Sequence, residues 1–271
     1  MRILAWFVLV MASGSFTAAA PPDVEAAFVK GEVEFGDGSS LPYRLHRPPA
    51  GPDQGPLPLV VFLHGAGERG VDNSGQLRHF PDRWIREPHL GKRHPAVVLA
   101  FQCPPRSWWS KVRRNSKDEW VSDPEIFITP ELAVVMTKVK ELASDPSVDA
   151  SRIYLTGLSM GGFGSWELLK HHPDLFAAVV PICGGGDVDA APAIAAGRTP
   201  IWNLHGDADR IVVVERSREM VEAVRAAGGR VGHTELPGVG HDSWVWAYGP
   251  HGVIDWMFAQ RRSDPAGFED P

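Results

Sequence analysis

The sequence predicts an α/β fold: a mostly parallel, doubly wound sheet of about eight strands, with helices on both faces and no large cap domain. Two observations carry this. Short β-branched or apolar runs alternate along the chain with segments of helical length and helical apolar spacing. Two of those runs, Leu57–Leu63 and Ala177–Ile182, are almost unbroken apolar, as strands covered on both faces must be.

Taken in order, Phe28–Phe35 and Leu41–Arg47 read as strands with no helix between them. They predict an antiparallel hairpin turning through Gly36-Asp37-Gly38. Leu57–Leu63, Ala96–Phe101, Arg152–Thr156, Ala177–Ile182, Ile201–Leu204 and Val231–Leu236 complete the strand set. Thr129-Pro130-Glu131 is a helix start: a capping hydroxyl, then proline at the first helical position, then an acid, with apolar spacing on through Leu142. Further helices are predicted over Gly162–His171, Val214–Ala227 and Ser243–Ala259. No internal repeat or linker interrupts the chain, so residues 21–271 read as one domain.

Composition narrows the function. The 271 residues are 44% apolar and 22% charged, those of an ordinary folded chain. A formal charge of −6 argues against a nucleic-acid or anionic-membrane binder. Two cysteines exclude a disulfide scaffold and a four-cysteine zinc site. Cys103 and Cys183 end strands that are three spacings apart in the usual order, roughly 14 Å, whereas a disulfide needs Cα atoms within about 7 Å. Both are expected to be free. His79, His89 and His94 lack metal-ligand spacing, so neither a metal nor a cofactor is expected.

Residues 1–20 read as a secretory signal. A single charge, Arg2, precedes the apolar run Ile3–Val10 and the small residues Thr17-Ala18-Ala19-Ala20. The run is far short of the roughly 20 residues a bilayer span needs. Cleavage after Ala19 or Ala20 leaves a secreted or periplasmic protein with no membrane anchor.

The chemistry lies at strand ends. The Arg152–Thr156 strand runs into Gly157-Leu158-Ser159-Met160-Gly161-Gly162 and then a helix. Such a turn forces a serine outward at the carboxyl edge of the sheet, where a neighbouring base can activate a hydroxyl that is otherwise a poor nucleophile. Candidate partners follow the next strands: Asp207 and Asp209 in Leu204-His205-Gly206-Asp207-Ala208-Asp209, and His241 in Gly238-Val239-Gly240-His241-Asp242. Spacing alone does not separate the two aspartates, and Asp187 is a more distant rival. The order Ser159, acid, His241 is that of the α/β-hydrolases.

Six stretches, RIYLTGLSMGGFGSWELL, FAAVVPICGGGD, LHGAGERG, FQCPP, HGDAD and GVGHDSW, resemble a secreted α/β-hydrolase group of predicted peptidases and phospholipase/carboxylesterase-like proteins. That group is related to feruloyl and acetylxylan esterases and polyhydroxybutyrate depolymerases. The resemblance runs from about Leu57 to Trp246. It implies Ser159 as nucleophile, His241 as base and Asp209 as acid. The N–H groups of Ala66 and Met160 would then be the oxyanion donors. The expected activity is hydrolysis of carboxylic esters, small or polysaccharide-linked, through an acyl-enzyme. The alternatives are a peptidase of the prolyl oligopeptidase type, disfavoured for want of a gating domain, and a non-catalytic binding protein with a hydrolase fold, disfavoured because all three triad positions are filled.

Substrate signals are sparser. Only about 18 residues, Cys183–Pro200, separate the sixth and seventh strands, where many lipases carry a cap. The longest insertion, Cys103–Ile128, carries Trp108, Trp109 and Trp120 with a basic run from Lys111 to Lys117. Trp244 and Trp246 follow the histidine. Trp108, Trp109 and Trp244 are the expected aromatic platform for a sugar or aryl group, and the basic run could meet a substrate carboxylate.

Overall fold

The computed structural model describes residues 23–49, 51, 55–114, 120–123 and 125–262. The expected signal segment, residues 1–20, lies outside them. Strands β1 (Val29–Glu34) and β2 (Ser40–His46) form the predicted antiparallel hairpin. Its turn is closed by the Phe35 N–H on the Ser39 carbonyl at 2.7 Å, with Gly38 at φ 84°, a region glycine enters without strain.

β3 (Leu57–Leu63) is followed by helices α1 (Phe80–Arg86) and α2 (Pro88–Arg93) and by β4 (Val97–Phe101). Then come β5 (Val112–Arg114), β6 (Trp120–Ser122), α3 (Pro130–Ala143), β7 (Val148–Leu158), α4 (Met160–His171) and β8 (Ala178–Ile182). The chain continues through α5 (Ala191–Ala196), β9 (Ile201–Gly206), α6 (Glu215–Ala226), β10 (Val231–Leu236), α7 (Trp244–Ala247) and α8 (Val253–Ala259).

Eight strands form one sheet in the order β1-β2-β4-β3-β7-β8-β9-β10. Only the β1–β2 and β2–β4 pairings are antiparallel; from β4 to β10 every pair is parallel. Alternation along the strands feeds two cores. Leu59, Val61 and Leu63 of β3 pack with α3 to α6, while Val60 and Phe62 pack with α1, α7 and α8. This is why β3 reads as an uninterrupted apolar run. At the head of α3, Thr129 Oγ1 accepts the Leu132 N–H at 3.4 Å.

Three features depart from expectation. The helix predicted over Ser243–Ala259 is two, because Pro250 cannot continue a helix and Gly252, at φ 82°, restarts the chain. The insertion after β4 holds a small second sheet, β5–β6, with three residue pairs in register. Helices α1, α2 and α5 were not foreseen, being short and without strong apolar period. Cys103 and Cys183 are free and buried. Among the described residues no helix is long and apolar enough to cross a membrane.

Candidate active site

The parallel strands present their carboxyl ends at one edge, and three loops there converge. Ser159 follows β7 directly and sits at φ 54°, ψ −117°, an outlying conformation for a residue with a side chain. Its backbone N–H is held by the Ile182 carbonyl at 2.9 Å. The turn depends on close backbone approach: a Cβ at Gly161 would overlap the Leu63 carbonyl oxygen. Gly206, at the end of β9, likewise lets the carbonyls of Val239 and Gly240 cross close above it. That crossing carries His241 over the end of β9.

The result is a serial hydrogen-bond chain. Ser159 Oγ lies 2.9 Å from His241 Nε2, and His241 Nδ1 lies 2.7 Å from Asp209 Oδ2. Asp209 Oδ1 accepts the N–H groups of Ile211 at 2.8 Å and Val212 at 3.0 Å. Burial pushes its carboxyl up, but hydrogen bonds from His205, His241, Val212 and Ile211 more than reverse this. They hold it well below the usual carboxylate range. The ambiguity between the two aspartates is resolved by position. Asp207 turns outward, and its Oδ1 accepts the Gly238 N–H at 2.6 Å, pinning the loop that leads to His241. Asp187 is elsewhere, paired with Lys111 and Lys170 at 3.2 Å each.

The two expected oxyanion donors flank Ser159. Met160 opens α4, where first-turn N–H groups have no intrahelical acceptor. Ala66 opens the short 3-10 turn Ala66–Glu68, and a Cβ at neighbouring Gly65 would stand 3.6 Å from Ser159 Cβ. That turn is braced by His64, whose Nδ1 donates to the Gly65 carbonyl at 2.6 Å and whose Nε2 accepts the Cys103 N–H at 2.9 Å. Only the neutral ring satisfies both bonds.

Burial accordingly pushes the His64 imidazole down from 6.5 to about 4. The unfolded chain thus binds a proton that the native chain refuses between those values, so stability is whole above about pH 6.5 and falls toward pH 4. The expected loss from this group is about 3 kcal/mol. Urea unfolding at about pH 7 and pH 4.5 checks it, with His64→Gln expected to flatten the difference.

The tryptophans divide. Trp244 meets His241 edge-on, ring centres 5.4 Å apart, and Trp108 lies beneath Arg69 at 5.2 Å, beside the Ala66 turn. Trp109 does not serve as a platform: it is fully buried and its Nε1 donates to the His64 carbonyl at 3.0 Å. Trp120 stacks on Phe163 of α4 at 4.5 Å, closing the β5–β6 ribbon over the helix that Ser159 heads. The basic run is partly consumed as well, since Lys111 is spent on Asp187; Lys117 lies outside the described residues.

Three residues escaped the sequence reading. His205, in the same motif as Asp209, is fully buried and hydrogen-bonds the same carboxylate; the motif was read only for its acids. Glu68 and His79, 3.3 Å apart, stand behind Trp244, which meets the His79 ring edge-on. Ligand atoms of Cys183, Asp209 and His241 come within 4.8 Å of one another. Burial, however, drives the Cys183 thiol upward, toward its protonated form, and the other two are bonded to each other.

Fold and geometry together define the class: an α/β-hydrolase, with serine, histidine and aspartate joined in series at the carboxyl edge of the sheet. The family model described as Phospholipase/Carboxylesterase matches residues 50–247, and the chain belongs to that family. It is 29% identical over 178 residues to the candidate esterase NocK of Nocardia uniformis subsp. tsuyamanensis, covering 64% of this chain and 46% of NocK. It is 38% identical over 131 residues to poly(3-hydroxyalkanoate) depolymerase C of Paucimonas lemoignei, covering 47% of this chain and 28% of the depolymerase. A thermostable esterase of known structure superposes with TM-score 0.76 at 38% identity, over 88% of this chain and 64% of that one. The chain thus spans less than two thirds of each of the three.

Proposed function

We propose that the protein is an exported serine esterase that cleaves carboxylic esters through an acyl-enzyme. The observation that carries this is the pair of distances joining Ser159, His241 and Asp209, 2.9 Å and 2.7 Å. In this reading His241 takes the Ser159 proton as Oγ attacks the ester carbonyl, then delivers it to the departing alcohol. Asp209 holds the ring with Nδ1 protonated and stabilises the imidazolium. The N–H groups of Met160 and Ala66 receive the developing oxyanion. The acyl-enzyme is released by water, with His241 again the base.

The substrate is a short or aryl acyl ester, free or attached to a polymer. Between β8 and β9 the chain makes only a 3-10 turn and α5, so a bulky alcohol or a polymer strand meets little covering structure. The names of the relatives, an esterase and a polyester depolymerase, support the ester bond as the target. Trp108 and Trp244 would contact an aryl or sugar group beside the reacting carbonyl. Trp108→Ala is then expected to raise KM for methyl ferulate several-fold, by about 1 kcal/mol, and to leave p-nitrophenyl acetate unchanged.

The test is a panel: p-nitrophenyl acetate, butyrate and octanoate, methyl ferulate, acetylated xylan and a proline-containing peptide anilide, each with the parent protein and Ser159→Ala. Serine-dependent cleavage of esters with the anilide intact is the expected result. Cleavage of the anilide alone would replace esterase by peptidase. Export is tested by the amino terminus of the mature protein, expected at Ala20 or Pro21.

A further inference from the structure

We infer that His205 is a second histidine serving Asp209, a positioning residue that carries a proton on both ring nitrogens. The inference rests on the reading of Asp209 as the acid of the triad. His205 stands at the end of β9 with its side chain wholly enclosed. Its Nε2 faces two acceptors, the Val212 carbonyl at 2.8 Å and Asp209 Oδ2 at 3.2 Å, so that nitrogen must donate. Its Nδ1 lies 2.7 Å from Ser217 Oγ, which itself lies 2.9 Å from the Gly184 carbonyl. A carbonyl only accepts, so the single Ser217 proton goes to Gly184, and Nδ1 must then donate as well. A neutral ring would leave Ser217 and Gly184 oxygens facing each other with no proton between them, in a fully buried place where an unmade bond is costly.

The charge has a partner where it is needed. The Asp209 carboxylate is equally enclosed and compensates a buried imidazolium that would otherwise not be tolerated. The other titratable groups around the ring are His241 across Asp209, Cys183 at the end of β8, and His233 and Glu235 on β10; Glu235, the strand partner of His205, has its carboxylate taken up by Arg218 and His233.

The contacts also form a closed circuit. From Ser159 they run through His241, Asp209, His205 and Ser217 to Gly184, whose backbone packs against Gly162 in the first turn of α4, the helix that Ser159 heads. His205 is the link that ties the acid to the backbone of the nucleophile. By sharing Oδ2 with His241 it presents that oxygen to the base and tempers its charge, so the His241 ring is held in place without being over-stabilised as a cation.

The experiment is 15N NMR of the full chain labelled at histidine, at about pH 8, above the ordinary histidine range of about 6.5. One histidine is expected to keep protons on both nitrogens, with its signals absent from His205→Gln. In that variant the downfield Nδ1 proton of His241 is expected to move. kcat is expected to fall on the order of ten- to a hundred-fold with KM changed little. A His205 ring with one bare nitrogen in the parent protein overturns the inference, as does a His205→Gln variant whose His241 proton and kcat match the parent. Should His205→Gln not fold, Ser217→Ala replaces it and is expected to abolish the second ring proton. A parent inactive on every ester would sink the esterase reading while leaving the NMR result readable.

Discussion

A Ser159→Gly variant is expected to lose ester turnover by a factor on the order of 10⁶ and yet to unfold at a higher temperature than the parent. The first effect follows from removing the oxygen placed 2.9 Å from His241 Nε2. The second follows from the backbone. At φ 54° and ψ −117° a serine is held where its Cβ is crowded, and such positions cost about 1–3 kcal/mol. Glycine enters that region freely, at an entropic cost of about 0.5–1 kcal/mol in the unfolded chain. The balance favours the variant by about 1 kcal/mol, a rise of roughly 2–4 °C in Tm. Calorimetry alongside a p-nitrophenyl butyrate assay checks both. A variant that melts at or below the parent would mean the elbow is not strained, whatever happens to turnover.

Asp209→Asn is expected to lower kcat by about 10⁴-fold and, by leaving the buried His205 charge without its partner, to lower the melting temperature as well, whereas Asp207→Asn leaves kcat within about twofold. The two residues are two positions apart on one loop, so the pair isolates geometry from local charge. At 209 the amide replaces the acceptor of the His241 Nδ1 proton and, in one orientation, offers a donor instead. The ring then settles with its proton on the wrong nitrogen. At 207 the amide oxygen still accepts the Gly238 N–H, so the loop stays pinned. Steady-state kinetics on one chromogenic ester decides the matter; equal losses in both variants would assign the effect to the loop instead of the histidine.

Much of this architecture was legible in the chain. The eight strands of the main sheet were readable because burial on both faces or alternate faces leaves a strong apolar signature, as in β3 and β8. The elbow was readable because a strand, a small-residue turn and a helix must follow in that order around an exposed serine. What escaped was whatever depends on packing across the sheet. Nothing local in Trp108-Trp109 says that one ring lies under Arg69 while the next is sealed inside on the His64 carbonyl. Nothing local separates Asp207 from Asp209, because the choice is made by where the residue 237–241 loop crosses β9. The break between α7 and α8 was the exception: Pro250 and Gly252 were in plain sight and outweighed by the apolar spacing around them.

The position of β3 has a consequence for how the chain comes to be folded. It is a central strand, with β4 on one side and β7 on the other, and Leu59 meets Ile153 about ninety residues later. Until β7 has been synthesised, one long edge of the stretch Leu-Pro-Leu-Val-Val-Phe-Leu is unpaired. Such an edge invites pairing with another copy of itself, and a closing contact so distant in sequence forms slowly. Yield on refolding should therefore fall steeply with protein concentration, and a chain truncated before β7 should aggregate, as its most apolar strand has lost the neighbour that hides it.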